Sequence, residues 1–156
     1  MKSRKEALHD IFKCHGANAL YIFSTGYIAR AAYDLFEKEK CIFYMSGSMG
    51  LAPGIGIGLA LNTTKDVVVV SGDASLLMHL GITHTIRDLK MSNLYVYILD
   101  NNCHESVGGH PCAPLEKDYP GIKEIIPISK EGKTPRVGIT FEENAKQIKD
   151  ILGVRE

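Results

Sequence analysis

The sequence predicts an α/β fold of three layers, α/β/α, doubly wound around a mainly parallel sheet. Three observations predict it. Short apolar runs, such as residues 67–70 and 94–99, alternate with longer segments of helical periodicity. Both of these runs end in a polar cluster: Ser71-Gly72-Asp73-Ala74-Ser75 after the first, and Asp100-Asn101-Asn102-Cys103-His104-Glu105 after the second. Roughly one helix of sequence separates them, which is the layout of a βαβ unit. Both clusters then lie at the carboxyl ends of neighbouring strands, where open α/β sheets bind ligands. Asp73 and Asn101 should therefore meet in space. A carboxylate, an amide oxygen and nearby carbonyls are hard donors. They suit Mg²⁺, which completes its octahedron with phosphates and water.

The remaining elements follow in order. Residues 4–15 place Ala7, Leu8, Ile11 and Phe12 at helical spacing, and Gly16 and Asn18 stop that helix. Residues 19–23 read as a strand. Ser24-Thr25-Gly26 turns the chain, and Ser24 or Thr25 is a candidate cap for a helix that runs to about Lys40. That helix carries Ile28, Ala31, Ala32, Leu35 and Phe36 on one face. Residues 41–45 read as the second strand. Ser46-Gly47-Ser48-Met49-Gly50 then leads into a Gly/Ala-rich helix over 51–61, with Pro53 in its first turn. Gly54, Gly56 and Gly58 fit close helix packing, whereas Gly47 to Gly50, at a strand end, fit a ligand contact.

After the strand at 67–70, residues 76–90 read as one helix with Leu76, Leu77, Leu80, Ile86 and Leu89 as core candidates. His79 and His84 on it read as polar-face residues. Residues 102–121 form a long loop, a length that is usually functional or disordered. Its Cys103, His104, His110 and Cys112 match no common zinc spacing. Residues 123–129 read as the last strand. A closing helix spans 141–152, with Phe141, Ala145, Ile148 and Leu152 on one face. Thr140 and Glu143 form a capping box there, and Gly153 is the stop. Residues 1–156 together read as a single domain.

Composition narrows the function classes. Lys+Arg and Asp+Glu are equal at 18 each, so no electrostatic footprint points to nucleic acid or an anionic membrane. Apolar residues make up 45%, enough for a real core in 156 residues. Four cysteines without a CxxC pair, and no long apolar run, suit a soluble cytoplasmic protein with free thiols. Neither a G-x-G-x-x-G turn nor a P-loop is present.

Gly72-Asp73-Ala74-Ser75 followed by Asp100-Asn101-Asn102 resembles the GDG…N(N) motif of thiamine-diphosphate-dependent enzymes. TGY at 25–27, GSMGLA at 47–52, GDASLLMHLG at 72–81 and LDNNCHESVGG at 99–109 occur in the family's order. Together they resemble the diphosphate-binding half of 2-oxo-acid decarboxylases of the phosphonopyruvate and sulfopyruvate type, and HESVGG is similar to the phosphonopyruvate type in particular. The likeness covers roughly residues 19–112.

The resemblance implies the following roles. Asp73, the Asn101 side chain and the Cys103 backbone carbonyl would hold Mg²⁺. Gly72, Asp73, Ala74 and Ser75 would hold the diphosphate through backbone N–H groups at a helix start. Gly47, Ser48 and Met49 would lie along the cofactor rings, Gly26 would belong to the turn beneath them, and Ile28 would support the cofactor's bend. His104 and Glu105 would sit at the mouth, near the substrate, as catalytic candidates. The implied reaction is non-oxidative decarboxylation of a 2-oxo acid to an aldehyde, with thiamine diphosphate and Mg²⁺ as cofactors.

The sequence also departs from the family pattern. Ala74 stands where the family usually has Gly. The Ser-Arg-Glu-Leu-like run after TGY is here Ala29-Arg30-Ala31-Ala32. The sheet is expected to be shortened near the C-terminus. A second, pyrimidine-binding domain is expected from a separate subunit, giving a hetero-oligomer that also self-associates. The alternative is a non-catalytic or degenerate thiamine diphosphate-binding module of the same fold.

Overall fold

The computed structural model describes residues 1–154. Helix α1 (Arg4–His15) opens the chain under a capping box. The Ser3 hydroxyl accepts from Glu6 N, and the Glu6 carboxylate accepts from Ser3 N. Next come β1 (Leu20–Phe23), α2 (Tyr27–Phe36), β2 (Ile42–Tyr44), α3 (Ala52–Ala60) and β3 (Val67–Gly72). Two short helices, α4 (Asp73–Met78) and α5 (Ile82–Leu89), precede β4 (Leu94–Asp100). The two-residue strands β5 (Cys103–His104) and β6 (His110–Pro111) form an antiparallel pair within the 102–121 segment. The chain continues through β7 (Glu124–Pro127) to α6 (Phe141–Leu152).

The main sheet runs β2-β1-β3-β4-β7, and every pairing in it is parallel. The chain steps outward from β1 to β2, then crosses back to β3 and continues to β4 and β7. Right-handed crossovers place the helices on both faces when the winding reverses in this way. The reversal creates a switch point between β1 and β3, where a crevice opens at the strands' carboxyl ends. A bridge between Lys2 and Ile128 ties the chain's start to the end of β7.

Burial explains the uninterrupted apolar runs. Val67, Val68, Val69 and Val70 on central β3 are all fully buried, because helices cover both faces of a parallel sheet. Phe12 stacks on Tyr21 and on Phe36, with ring centroids 4.9 and 4.5 Å apart, and so fastens α1 and α2 to β1. Gly56 sets the approach of α3. A Cβ there would lie 2.4 Å from Val69 Cγ2, so any side chain would push the helix off the sheet.

Several sequence expectations are corrected. Residues 76–90 are not one helix: His79 leaves helical geometry at φ −142°, and the chain restarts at Ile82. Leu80 and Leu89 consequently face solvent, as does Leu35 on α2, which ends at Phe36 rather than near Lys40. The close-packing explanation holds for Gly56 but not for Gly54 or Gly58, which have nothing within 4 Å of an added Cβ. On α6, Phe141 is 70% exposed, and the buried position belongs to Asn144 at 3%.

Asn144 has a defined task. Its Oδ1 accepts from Tyr44 N at 3.1 Å and its Nδ2 donates to Tyr44 O at 2.7 Å. The side-chain amide thus completes the hydrogen bonding of the β2 edge, where another strand would otherwise pair. Among the described residues, no helix is long and apolar enough to cross a membrane.

Candidate functional site

The switch point gathers the motif residues. Ser24 follows β1 and Ser75 lies in the first turn of α4. Both are buried, and their hydroxyl oxygens are 3.2 Å apart, locking the two loops together. Gly72 of β3 pairs with Leu99 of β4, which brings the two polar clusters side by side. The loops enclose a small cavity of about 60 Å³. Its walls are the start of α2, Met49, the β3–α4 junction, residues 103–107 and Arg4. A larger open groove between α1 and β7 is lined by Lys2, Glu6, Asp10 and Glu124, and none of the motif residues reaches it.

Asp73 and Asn101 converge as expected. Cys103 N donates to Asp73 Oδ2 and to Asn101 Oδ1, each at 3.2 Å. Asp73 is 3% exposed. Burial pushes its carboxyl above the usual range, the Ala74 backbone N–H works against that rise, and the Asp100 carboxylate adds to it. Among the described residues no Lys or Arg forms an ion pair with Asp73. A buried carboxylate beside a second carboxylate and an amide oxygen is a donor set that a hard divalent cation would stabilise. The residues present therefore fit Mg²⁺. No three His, Cys, Asp or Glu side chains group as a metal cluster among the described residues.

The α4 start fits a phosphate. Asp73 opens the helix and no side chain caps it. Gly72 is extended at φ −94°, and a Cβ there would meet only Ile28 Cδ1, at 3.6 Å. Neither backbone strain nor packing within this chain requires that glycine. What its missing side chain provides is room on the cavity side. Ala74 lies inside α4 and is absent from the positive-φ positions, so its methyl carries no strain.

Glu105 is the most heavily bonded side chain of the site. Its Oε2 accepts from Arg4 Nη2 at 2.5 Å and from Asn101 Nδ2 at 2.7 Å. Its Oε1 accepts from the backbone N–H of Glu131 at 2.9 Å and of Gly132 at 2.7 Å. Four donors engage the two oxygens. Arg4 is 2% exposed, also meets Glu131 Oε2 at 3.4 Å, and lies 5.5 Å from the Tyr27 ring centroid. Glu105 therefore anchors Asn101 and the 131–132 loop with both of its oxygens. His104 lines the cavity half-buried.

The other expected contacts divide. Ile28 and Met49 line the cavity, but Gly47 and Ser48 are exposed and do not reach its wall. Their left-handed φ values, 69° and 51°, shape the turn, and Gly47 N donates to Thr25 Oγ1 at 3.0 Å. Gly26 packs against the loop: its Cβ would fall 2.9 Å from Ser106 Oγ. The sequence reading missed Arg4, Tyr27 and Asp100 as site residues. Asp100 carried a signal, since it precedes Asn101 at the same strand end. Arg4 carried none, because its partners Glu105 and Glu131 lie 101 and 127 positions away in sequence.

Comparison with known proteins places this geometry. The family model described as thiamine pyrophosphate enzyme, C-terminal TPP binding domain, matches residues 24–146. Phosphonopyruvate decarboxylase of Streptomyces viridochromogenes is 39% identical over 105 residues, 67% of this chain and 26% of that protein. Sulfopyruvate decarboxylase subunit beta of Methanocaldococcus jannaschii is 37% identical over 105 residues, 67% of this chain and 55% of that subunit. An X-ray structure of a proposed thiamin diphosphate-dependent enzyme from Mycobacterium smegmatis superposes with a TM-score of 0.58 at 16% identity. The superposition covers 74% of this chain and 24% of that one, and the likeness is one of fold.

Proposed function

The chain belongs to the thiamine pyrophosphate enzyme family, as its C-terminal TPP binding domain, and from that premise we propose that it is the diphosphate-binding half of a Mg²⁺-dependent 2-oxo-acid decarboxylase. The observation that carries the reading is the meeting of Asp73 and Asn101 on one backbone N–H, beside an uncapped helix start. Residues 1–156 act as one cofactor-binding domain in the cytoplasm.

In this reading Asp73, the Asn101 amide oxygen and the Cys103 carbonyl hold Mg²⁺. The backbone from Gly72 to Ser75 faces the diphosphate, with Gly72 leaving room for it and the Ala74 N–H turned to the Asp73 carboxylate. Ile28 and Met49 supply apolar contact, Gly47 and Ser48 form the turn that leads to Met49, and Gly26 opens α2 against Ser106. The chemistry that bound thiamine diphosphate supplies is a carbon nucleophile and an electron sink for loss of carbon dioxide from a 2-oxo acid. His104, on the cavity lining, would present a ring nitrogen able to carry a proton toward the carbon that loses carbon dioxide. Glu105 is a positioning residue: it fixes Asn101 and thereby the metal site.

A partner chain completes the site. The cavity, at about 60 Å³, is far below the roughly 300–1,000 Å³ of pockets that enclose a small ligand. Glu105 is the one glutamate on its described lining, and both its oxygens are engaged. A carboxylate that activates the cofactor's aminopyrimidine must therefore come from elsewhere. Val107 on the cavity lining is 66% exposed, an apolar side chain suited to burial between chains. The name subunit beta, carried by the Methanocaldococcus relative, supports the same arrangement. The partner is a pyrimidine-binding subunit, and the pair associates further with its own copies. The substrate is a small 2-oxo acid of the phosphonopyruvate or sulfopyruvate kind, by the relatives' names.

The test is turnover. The purified chain should release no carbon dioxide from phosphonopyruvate or sulfopyruvate by itself. Activity should arise when it is joined with the α/β subunit recovered on it from its native cell. Robust turnover by the chain alone would contradict the divided site, and an assembled complex inert on a panel of 2-oxo acids would favour a non-catalytic module.

A further inference from the structure

An asparagine side chain can offer a hard cation only one of its two ends. The amide oxygen is a ligand, the amide nitrogen only donates, and the two ends have nearly the same shape. A neighbour must therefore choose which end of Asn101 faces Asp73. Asn101 Nδ2 donates to Glu105 Oε2 at 2.7 Å, which leaves Oδ1 on the Cys103 N–H beside Asp73. The choice passes one step further back, because the same Glu105 oxygen accepts from Arg4 Nη2 at 2.5 Å. Arg4 is the first residue of α1, next to its capping box, and lies on the cavity lining at 2% exposure. An arginine carries five N–H donors, no acceptor, and a charge that it keeps.

We propose that Arg4 is a positioning residue of the metal site, which acts through Glu105 to turn the Asn101 amide oxygen, and not its nitrogen, toward the cation. The inference rests on the reading of Asp73 and Asn101 as metal ligands. With two N–H donors on it, Glu105 Oε2 acts as an acceptor and meets only the nitrogen end of the Asn101 amide. The Glu131 and Gly132 N–H groups engage Oε1 and pin the other half of the carboxylate. Arg4 is itself fixed from two further sides, by Glu131 Oε2 at 3.4 Å and by the Tyr27 ring, whose centroid is 5.5 Å from Cζ. Two hydrogen bonds thus join the start of α1 to a metal ligand. A group that orients a ligand in this way sets metal affinity without contact with the metal.

The test needs no turnover. In the complex of this chain and its partner subunit, the Mg²⁺ concentration that half-saturates thiamine diphosphate binding is measured for four variants. Arg4→Gln should raise it about tenfold or more. Arg4→Gln with Glu105→Gln removes both charges together and so leaves no lone buried charge to unfold the chain. Its amide at 105 both donates and accepts, no longer selects an end of Asn101, and should raise the Mg²⁺ requirement as much. Arg4→Lys, which keeps a cation, should stay closer to the unmodified protein. Glu131→Gln removes another Arg4 ion pair but leaves Glu105 joined to Asn101, and should not change the requirement. A folded double variant with the unmodified Mg²⁺ requirement overturns the proposal. So does a Glu131→Gln chain that loses as much, since Arg4 would then act on stability alone. The orientation is read separately on the full chain without metal, by NMR of proton exchange at the Asn101 side-chain amide. Exchange should be slow in the unmodified chain and faster in the double variant, and equal exchange in the two overturns the proposal. Thiamine diphosphate binding that ignores Mg²⁺ in the unmodified complex overturns the metal reading and the proposal with it. Binding that needs Mg²⁺ equally in every variant overturns the role of Arg4 alone.

Discussion

Asp73 and Asn101, distant in sequence, accept from a single donor: Cys103 N–H lies 3.2 Å from Asp73 Oδ2 and 3.2 Å from Asn101 Oδ1. The pairing of β3 with β4 sets this distance, because Gly72 stands opposite Leu99 and Asp73 and Asn101 each directly follow the last residue of their strand. Shared acceptance by two oxygens is the arrangement a metal ion would draw on.

Glu105 should matter for stability as well as for the site. Glu105→Gln keeps the shape but removes the charge facing buried Arg4. Loss of a buried ion-pair partner should cost about 3 kcal/mol, part of it recovered by Glu131. Urea unfolding at neutral pH reads the change. Cofactor affinity should fall with it, because Asn101 loses its tether. A variant as stable as the parent would show that Arg4 is satisfied without Glu105.

Ala74→Gly restores the residue usual in the family. Since Ala74 is helical with negative φ, glycine gains nothing in backbone freedom that the site uses. Thiamine diphosphate affinity should stay the same, and stability should drop by about 1 kcal/mol, the usual helix cost of glycine. Calorimetry and thermal unfolding measure the two effects. A tighter cofactor complex would mean that the methyl obstructs the phosphate.

Asn144→Ala should loosen the far edge of the sheet. Two hydrogen bonds to Tyr44 are lost, and the freed backbone groups stay buried beneath α6. About 2–4 kcal/mol of stability should go, at roughly 1–2 per unpaired group. Amide exchange at β2 and α6 should rise together. Unchanged exchange at Tyr44 would mean that water replaces the side chain at no cost.

Much of the fold was legible because strand and helix periods differ and the turns carry glycine. The apolar run of β3 and the clusters after β3 and β4 gave the βαβ unit and the Asp73–Asn101 meeting. Less legible were features set by distant contacts. The Leu76, Leu77 and Leu80 pattern continues through His79 and Gly81, so periodicity alone joins α4 to α5. Phe141 is apolar and Asn144 polar, yet the edge of β2 rewards hydrogen bonds above apolar area and reverses their burial. Arg4 resembles any charged residue in a first helical turn until the fold brings it against Glu105. Gly47 and Ser48 both take left-handed backbone angles in their turn, and neither lines the cavity.

The most direct test of the central claim is a calorimetric titration of the complex of this chain and its partner subunit with thiamine diphosphate, with and without Mg²⁺, beside the same titration of the complex carrying Asp73→Asn. Expected is binding that requires Mg²⁺ and weakens by about tenfold or more in the variant, as loss of a metal ligand should do. Binding that is indifferent to Mg²⁺, or equal in the two chains, would contradict the claim that Asp73 and Asn101 form the metal half of a thiamine diphosphate site.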